Sequence, residues 1–85
     1  MKYQLFIERR AQRQLAKIPE RDRERIIITI GGLAEDPRPA GVKKLSGRDA
    51  WRIRIGDYRV IFEIHDEALV VRVIIIRHRR DVYRS

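Results

Sequence analysis

The chain has no cysteine, which excludes disulfide staples and thiolate metal sites and leaves packing to hold the fold together. It also lacks any long hydrophobic run at its start. MKYQLFIERR holds a short apolar stretch interrupted by Gln4, too short for a signal peptide and far below the ~20 residues that span a bilayer. The expectation is a soluble, unprocessed, cytoplasmic protein with no membrane partner. Repeats, low-complexity tracts and linkers are missing, and 85 residues make one small domain, 1–85, with a single core. Acids are scarce: 12 Asp and Glu against 20 Lys and Arg leave a net charge of +8 and a pI near 10.8. That field suits nucleic acid, ribosomal RNA, anionic lipid or an acidic protein, and charge alone does not choose among them.

What the chain has in abundance is β-branched sequence. Trp51 to His78, WRIRIGDYRVIFEIHDEALVVRVIIIRH, reads as three strands joined by turns centred on Gly56-Asp57 and Asp66-Glu67. Counting outward from a two-residue loop at Gly56-Asp57 sets Ile55 opposite Tyr58, Arg54 opposite Arg59, Ile53 opposite Val60 and Trp51 opposite Phe62. The same count from Asp66-Glu67 sets Ile64 opposite Leu69, Phe62 opposite Val71 and Val60 opposite Val73. Both turns gather the apolar side chains on one face. The other carries Arg52, Arg54, Arg59 and Arg72 around Ile61, with Glu63 as its only acid. Like charges facing one another on a sheet are mildly destabilising, so this face calls for an anion.

Ahead of the meander, Lys2 to Ile7 reads as an opening strand with Tyr3, Leu5 and Ile7 on one face. Ile7, Ala11, Leu15 and Ile18 then recur at helical spacing, with Arg9, Arg10, Arg13, Gln14 and Lys17 outward. Pro19 ends that helix and opens a second, with Glu20 and Asp22 at its positive end and Ile26, Ile27, Ile30, Leu33 and Ala34 as its buried side. Gly31-Gly32 weakens its last part, and it stops before Asp36-Pro37. Asp36 to Gly47, DPRPAGVKKLSG, is the one long connection, in which Lys43 and Lys44 serve either phosphate contact or solubility. The expected architecture is α+β in the order β-α-α-β-β-β, a helical hairpin packed on the apolar face of an antiparallel sheet with the arginine face left open.

The tail, IRHRRDVYRS, adds four arginines, His78 and Tyr83. WRIRIGDYRVIFEI followed by VIIIRHRRDVYR resembles the RelE branch of the RelE/ParE superfamily of bacterial and archaeal toxins from toxin–antitoxin systems. The resemblance covers essentially the whole chain, including the proline-initiated second helix and KKLSG. The G-D-Y-R-V-I-F-E hairpin is shared across the superfamily, whereas H-R-x-x-V-Y points to RelE rather than ParE. It implies a β-α-α-β-β-β toxin that enters the ribosomal A site and cleaves messenger RNA without a metal or other cofactor, silenced in a hetero-oligomer by a cognate acidic antitoxin. The family's basic pair falls on Arg52 and Arg54, its third-strand arginine on Arg59, its catalytic arginine on Arg79 and its terminal tyrosine on Tyr83. The best-known members carry lysines at the first two positions. Arginine keeps the charge but effectively never gives up its proton. A ParE-like reading implies inhibition of DNA gyrase without catalysis, and a third reading is an inactive relative that only binds nucleic acid or antitoxin.

Metal-free RNA cleavage needs a base for the 2′-hydroxyl, cations for the phosphorane and an acid for the departing 5′-oxygen. Arginines supply the middle requirement, since each guanidinium matches phosphate oxygens with a fork of donors. Tyr83 among arginines is a candidate base, because nearby positive charge favours the phenolate. His78 either transfers protons or caps the strand end, and His65 beside a turn reads as inert. Arg72 touches substrate or pairs with Glu63. Arg77, Arg80 and Arg84 bind RNA, meet the antitoxin or are solvated. By register, Trp51, Tyr58 and Phe62 belong to the core rather than to a stacking platform. The candidate site is therefore Arg54, Arg59, Arg79 and Tyr83 for catalysis, with Arg52, Arg72, Lys43, Lys44, Arg77 and His78 holding RNA phosphates.

Overall fold

In the structure, a computed structural model describing residues 2–80, Pro19 does what its ring dictates: α1 (Arg9–Ala16) closes before it and α2 (Glu20–Gly32) begins after it, with Pro19 at the N-cap. Glu20 and Asp22 occupy the first turn of α2, where the helix dipole favours acids, and the helix ends on Gly31-Gly32. β1 (Gln4–Ile7) precedes the helices, and β2 (Lys43–Lys44), β3 (Trp51–Ile55), β4 (Tyr58–His65) and β5 (Val70–His78) follow. This is the expected order with one addition, since the segment read as pure connection contributes the two-residue edge strand β2.

The five strands form one sheet in the order β1-β5-β4-β3-β2, with β1 parallel to β5 and every other pair antiparallel. The helices lie on one face. Ala11, Ile18, Ile26, Ile30 and Leu33 pack there against Ile53, Ile55, Val60, Phe62, Val71, Val73 and Ile76. Trp51 and Tyr58 are half-buried against this cluster and Phe62 is fully enclosed, as the register required. Ile27 departs from expectation: it is 49% exposed and Ile28 is 74% exposed, because only Ile26 and Ile30 of α2 keep the spacing that points at the sheet. No described helix is long and apolar enough to cross a membrane.

The β3–β4 hairpin has the register counted from Gly56-Asp57, residue for residue, with Gly56 at φ 58°. The second hairpin differs. Its turn is longer than two residues, with Leu69 at φ 54°, so Ile64 faces Val71 and Glu63 faces Arg72. A shift of two keeps every side chain on its expected face while changing its partner. A β-bulge then intervenes at Ile61/Phe62, with Phe62 facing Val73 but Ile61 facing Ile75. Beyond it the parity of β5 is reversed. Ile76 therefore joins the core, and Arg77 emerges on the open face opposite Arg59.

Gln14, expected on the outer side of α1, holds this irregular stretch. β1 ends opposite Val73, and the Ile76 amide donates to Gln14 Oε1 at 2.7 Å.

Candidate functional site

Register sorts the open face into cross-strand rows about 4.8 Å apart from strand to strand. Nearest the β3–β4 turn lies a row of three guanidiniums, Arg54, Arg59 and Arg77, on β3, β4 and β5. The next row runs Lys43, Arg52, Ile61, Ile75, with the two isoleucines as an apolar floor beside the cations. The third joins Glu63, Arg72 and Phe6. Burial, and after it the charges of Arg59 and Arg54, pushes the Arg52 guanidinium below its ordinary pKa.

Arg79 closes the first row into a cleft. Its amide donates to the Asp57 carbonyl at 2.7 Å, and its guanidinium lies 3.7 Å from the Asp57 carboxylate. Arg54, Gly56, Asp57, Tyr58, Arg59 and Arg79 line a depression of about 220 Å³ around the turn. A second depression, bounded by Asp57, His78, Arg79 and Arg80, adjoins it. Arg54, Arg59 and Arg79 thus line one depression, with Arg77 opposite Arg59 in the first row and Arg52 in the next row.

Other expected contributors stand elsewhere. Arg72 faces Glu63 and not Ile61, its guanidinium lies 3.8 Å from Glu8 and 6.0 Å above the Phe6 ring, and it belongs to the far row. Lys43 faces Arg52 on the open side, but Lys44 faces Trp51, with its ammonium 5.9 Å above that ring and 4.0 Å from Asp49. His78 sits edge-on to Tyr58 at 5.1 Å, and its Nδ1 accepts the Arg80 amide at 3.1 Å, which matches the strand-capping role. His65, read as inert, bonds Glu63 at 2.9 Å. Tyr83 and Arg84 lie outside the described residues.

Sequence reasoning missed Asp57 as a member of the cleft, although it is the one acid within the GDYR turn. It also missed a clamp behind the sheet. Arg38 donates a fork to Asp66 at 3.1 and 2.9 Å while lying 4.9 Å above Trp51, and Tyr3 donates its hydroxyl to the same carboxylate at 2.8 Å. The Arg38 and Tyr3 bonds together hold the Asp66 carboxyl below the usual carboxylate range. This clamp ties the long connection and β1 to the β4–β5 turn.

Fold and face together define a small α+β domain with guanidiniums clustered on its open face, and among the described residues no group of three His, Cys, Asp or Glu side chains is placed to hold a metal. Residues 5–83 match the family model described as the ParE toxin of the type II toxin-antitoxin system, parDE. The chain is 31% identical to toxin RelG of Mycobacterium tuberculosis over 99% of both chains. Its structure superposes on an archaeal RelE-RelB complex from Pyrococcus horikoshii with a TM-score of 0.85 at 28% identity, covering 93% of this chain and 97% of that one. It also superposes on the intact RelBE toxin-antitoxin complex of E. coli with a TM-score of 0.77 at 30% identity, covering 89% and 95%. The protein belongs to the RelE/ParE superfamily of type II toxin-antitoxin toxins, and its relatives place it with the RelE branch.

Proposed function

We propose that this toxin is a ribosome-dependent endoribonuclease that cleaves messenger RNA in the A site by metal-free attack of the 2′-hydroxyl, and so inhibits translation. The observation that supports this most is the cleft lined by Arg54, Arg59 and Arg79, with Arg77 opposite Arg59 in the same row. Arg54, Arg59 and Arg79 are assigned to the phosphorane, whose extra charge their donors neutralise, while Arg52, Arg77 and Lys43 hold neighbouring phosphates. Tyr83 keeps the catalytic place that family resemblance implies for it. With so few phosphate contacts the free protein is expected to cut naked RNA poorly, the ribosome supplying the positioning. The test is single-turnover cleavage of message on programmed ribosomes. Fragments ending in 2′,3′-cyclic phosphate and 5′-hydroxyl support the reading, and rapid cleavage of purified RNA without ribosomes counts against it.

The ParE description of the matching family model keeps gyrase inhibition as the rival. Loss of gyrase supercoiling with intact message on the ribosome decides for it. The proposed partner is a cognate acidic antitoxin whose carboxylates meet the Arg52, Arg54 and Arg59 face in a cytoplasmic hetero-oligomer. At 100 times its Kd such a partner stabilises the toxin by about 2.7 kcal/mol, so an unchanged melting temperature on mixing argues against it.

A further inference from the structure

RNA cleavage of the kind proposed above needs a group that removes the 2′-hydroxyl proton, and the arginines that dominate this face cannot do so, because a guanidinium stays protonated and offers no acceptor. Resting on that reading, we propose that the Asp57 carboxylate is the proton acceptor of the cleavage reaction.

Among the described residues lining the depression, Asp57 is the only carboxylate, and it shares that space with Arg54, Arg59 and Arg79. The tight β3–β4 turn fixes its position. Gly56 at φ 58° brings the chain around, the Asp57 carbonyl is tied to the Arg79 amide at 2.7 Å, and the carboxylate stays 62% exposed, open to a ligand. The groups facing it are Arg54 from β3, Arg59 from β4 and Arg79 after β5, with His78 and Arg80 around the adjoining depression. Behind the turn, Arg25 of α2 would stand 3.3 Å from a Cβ at Gly56. The charged side chains that line the two depressions with it, Arg54, Arg59, Arg79 and Arg80, are all basic, so the Asp57 carboxylate is the acceptor among donors there.

Among the described residues His78 is the competing acceptor. Its Nδ1 already accepts the Arg80 amide at 3.1 Å, which in the neutral ring leaves the proton on Nε2 and no second lone pair for substrate.

In the step itself the 2′-hydroxyl gives its proton to Asp57 as the 2′-oxygen bonds to phosphorus. The bond from phosphorus to the 5′-oxygen breaks, and that oxygen takes a proton from solvent. The products are a 2′,3′-cyclic phosphate and a 5′-hydroxyl, and Asp57 returns its proton to water. Its ion pair with Arg79 at 3.7 Å is loose enough for phosphate to take over the guanidinium as substrate enters.

Single-turnover cleavage on programmed ribosomes between pH 6 and 8 tests this with the intact toxin, Asp57→Asn and Asp57→His, each checked by thermal melting. The wild type should be flat with pH. Asp57→Asn, which keeps the backbone tie to Arg79, should lose roughly 10²-fold or more at every pH. Asp57→His should recover part of the rate with a profile rising through about pH 6.5, the range of an imidazole base. A folded Asp57→Asn that cleaves within a few-fold of wild type overturns the proposal and returns the acceptor's role to Tyr83. Equal losses in Asp57→Asn and Asp57→His with flat profiles also overturn it, because Asp57 then only positions Arg79. A wild type that cuts no message overturns the endoribonuclease reading itself, and with it this one.

Discussion

Replacing Arg59 by alanine should separate activity from stability in opposite directions. Arg59 is the middle member of its row, with Arg54 opposite on one side and Arg77 on the other. Two unit charges about 7 Å apart repel by roughly 0.6 kcal/mol in water, so removing the central charge relieves about 1 kcal/mol at low salt. The lost packing of the arginine stem offsets part of that gain. For a domain of this size about 1 kcal/mol corresponds to roughly 4–8 °C, so the melting temperature should hold or rise by a few degrees. The gain should fade in about 1 M salt, where the screening length falls to ~3 Å. Activity should move the other way by roughly 10²-fold or more, the scale of losing one preoriented donor to the transition state. The assay pairs melts at low and high salt with single-turnover cleavage on programmed ribosomes for Arg54→Ala, Arg59→Ala and Arg79→Ala. Arg13→Ala, on the exposed side of α1, is the control. If Arg13→Ala lost as much activity as Arg59→Ala, the face would be no more than diffuse positive charge and the site assignment would fail. A clear drop in melting temperature for Arg59→Ala at low salt would refute the repulsion argument.

Asp66 has its carboxyl pKa lowered by Arg38 and then Tyr3, so its contribution to stability is complete above the usual carboxylate range and is lost as pH falls through the lower folded value. Asp66→Asn should flatten that part of the acid limb in urea midpoints taken between about pH 2 and 6, and an unchanged limb would show the clamp to be inert. Gly56→Ala puts a side chain at φ 58° and crowds Arg25, so it should cost about 1–2 kcal/mol, read as a lower denaturant midpoint at constant slope. A neutral result there would mean that the turn relaxes into another type.

The first hairpin was legible to the last residue because Gly56-Asp57 is a two-residue signal flanked by clean alternation. The second was legible in face and not in partner, since Asp66-Glu67-Ala68-Leu69 contains no glycine to fix its length, and a slip of two leaves parity intact. The bulge was invisible. VVRVIII offers alternation no polar residue beyond Arg72 to fail against, so nothing in it marks where the count skips. That one skip decides whether Arg77 lies under the helices or beside Arg59. Arg54, Arg59 and Arg79 were placed by the hairpin and by family resemblance, whereas Asp57 looked like ordinary turn chemistry until its neighbours were assembled around it. The face taken by Lys44 was not legible, because a two-residue edge strand has too few residues to show a period.

The parallel pairing of β1 with β5 joins the first described strand to the last, Gln4 beside Val70 and Ile7 beside Val73. Such a contact spans most of the described residues, and the loop entropy of closing it is met only when β5 exists. Arg77 lies on β5 and Arg79 follows it, so the row is completed by β5 and the cleft by the residue beyond it. A ribosome partway through this message therefore carries a chain that holds Arg54 and Arg59 but neither a closed sheet nor an assembled row. In a protein whose proposed target is the translating ribosome, the order of synthesis itself withholds the assembled row of guanidiniums until β5 has been made.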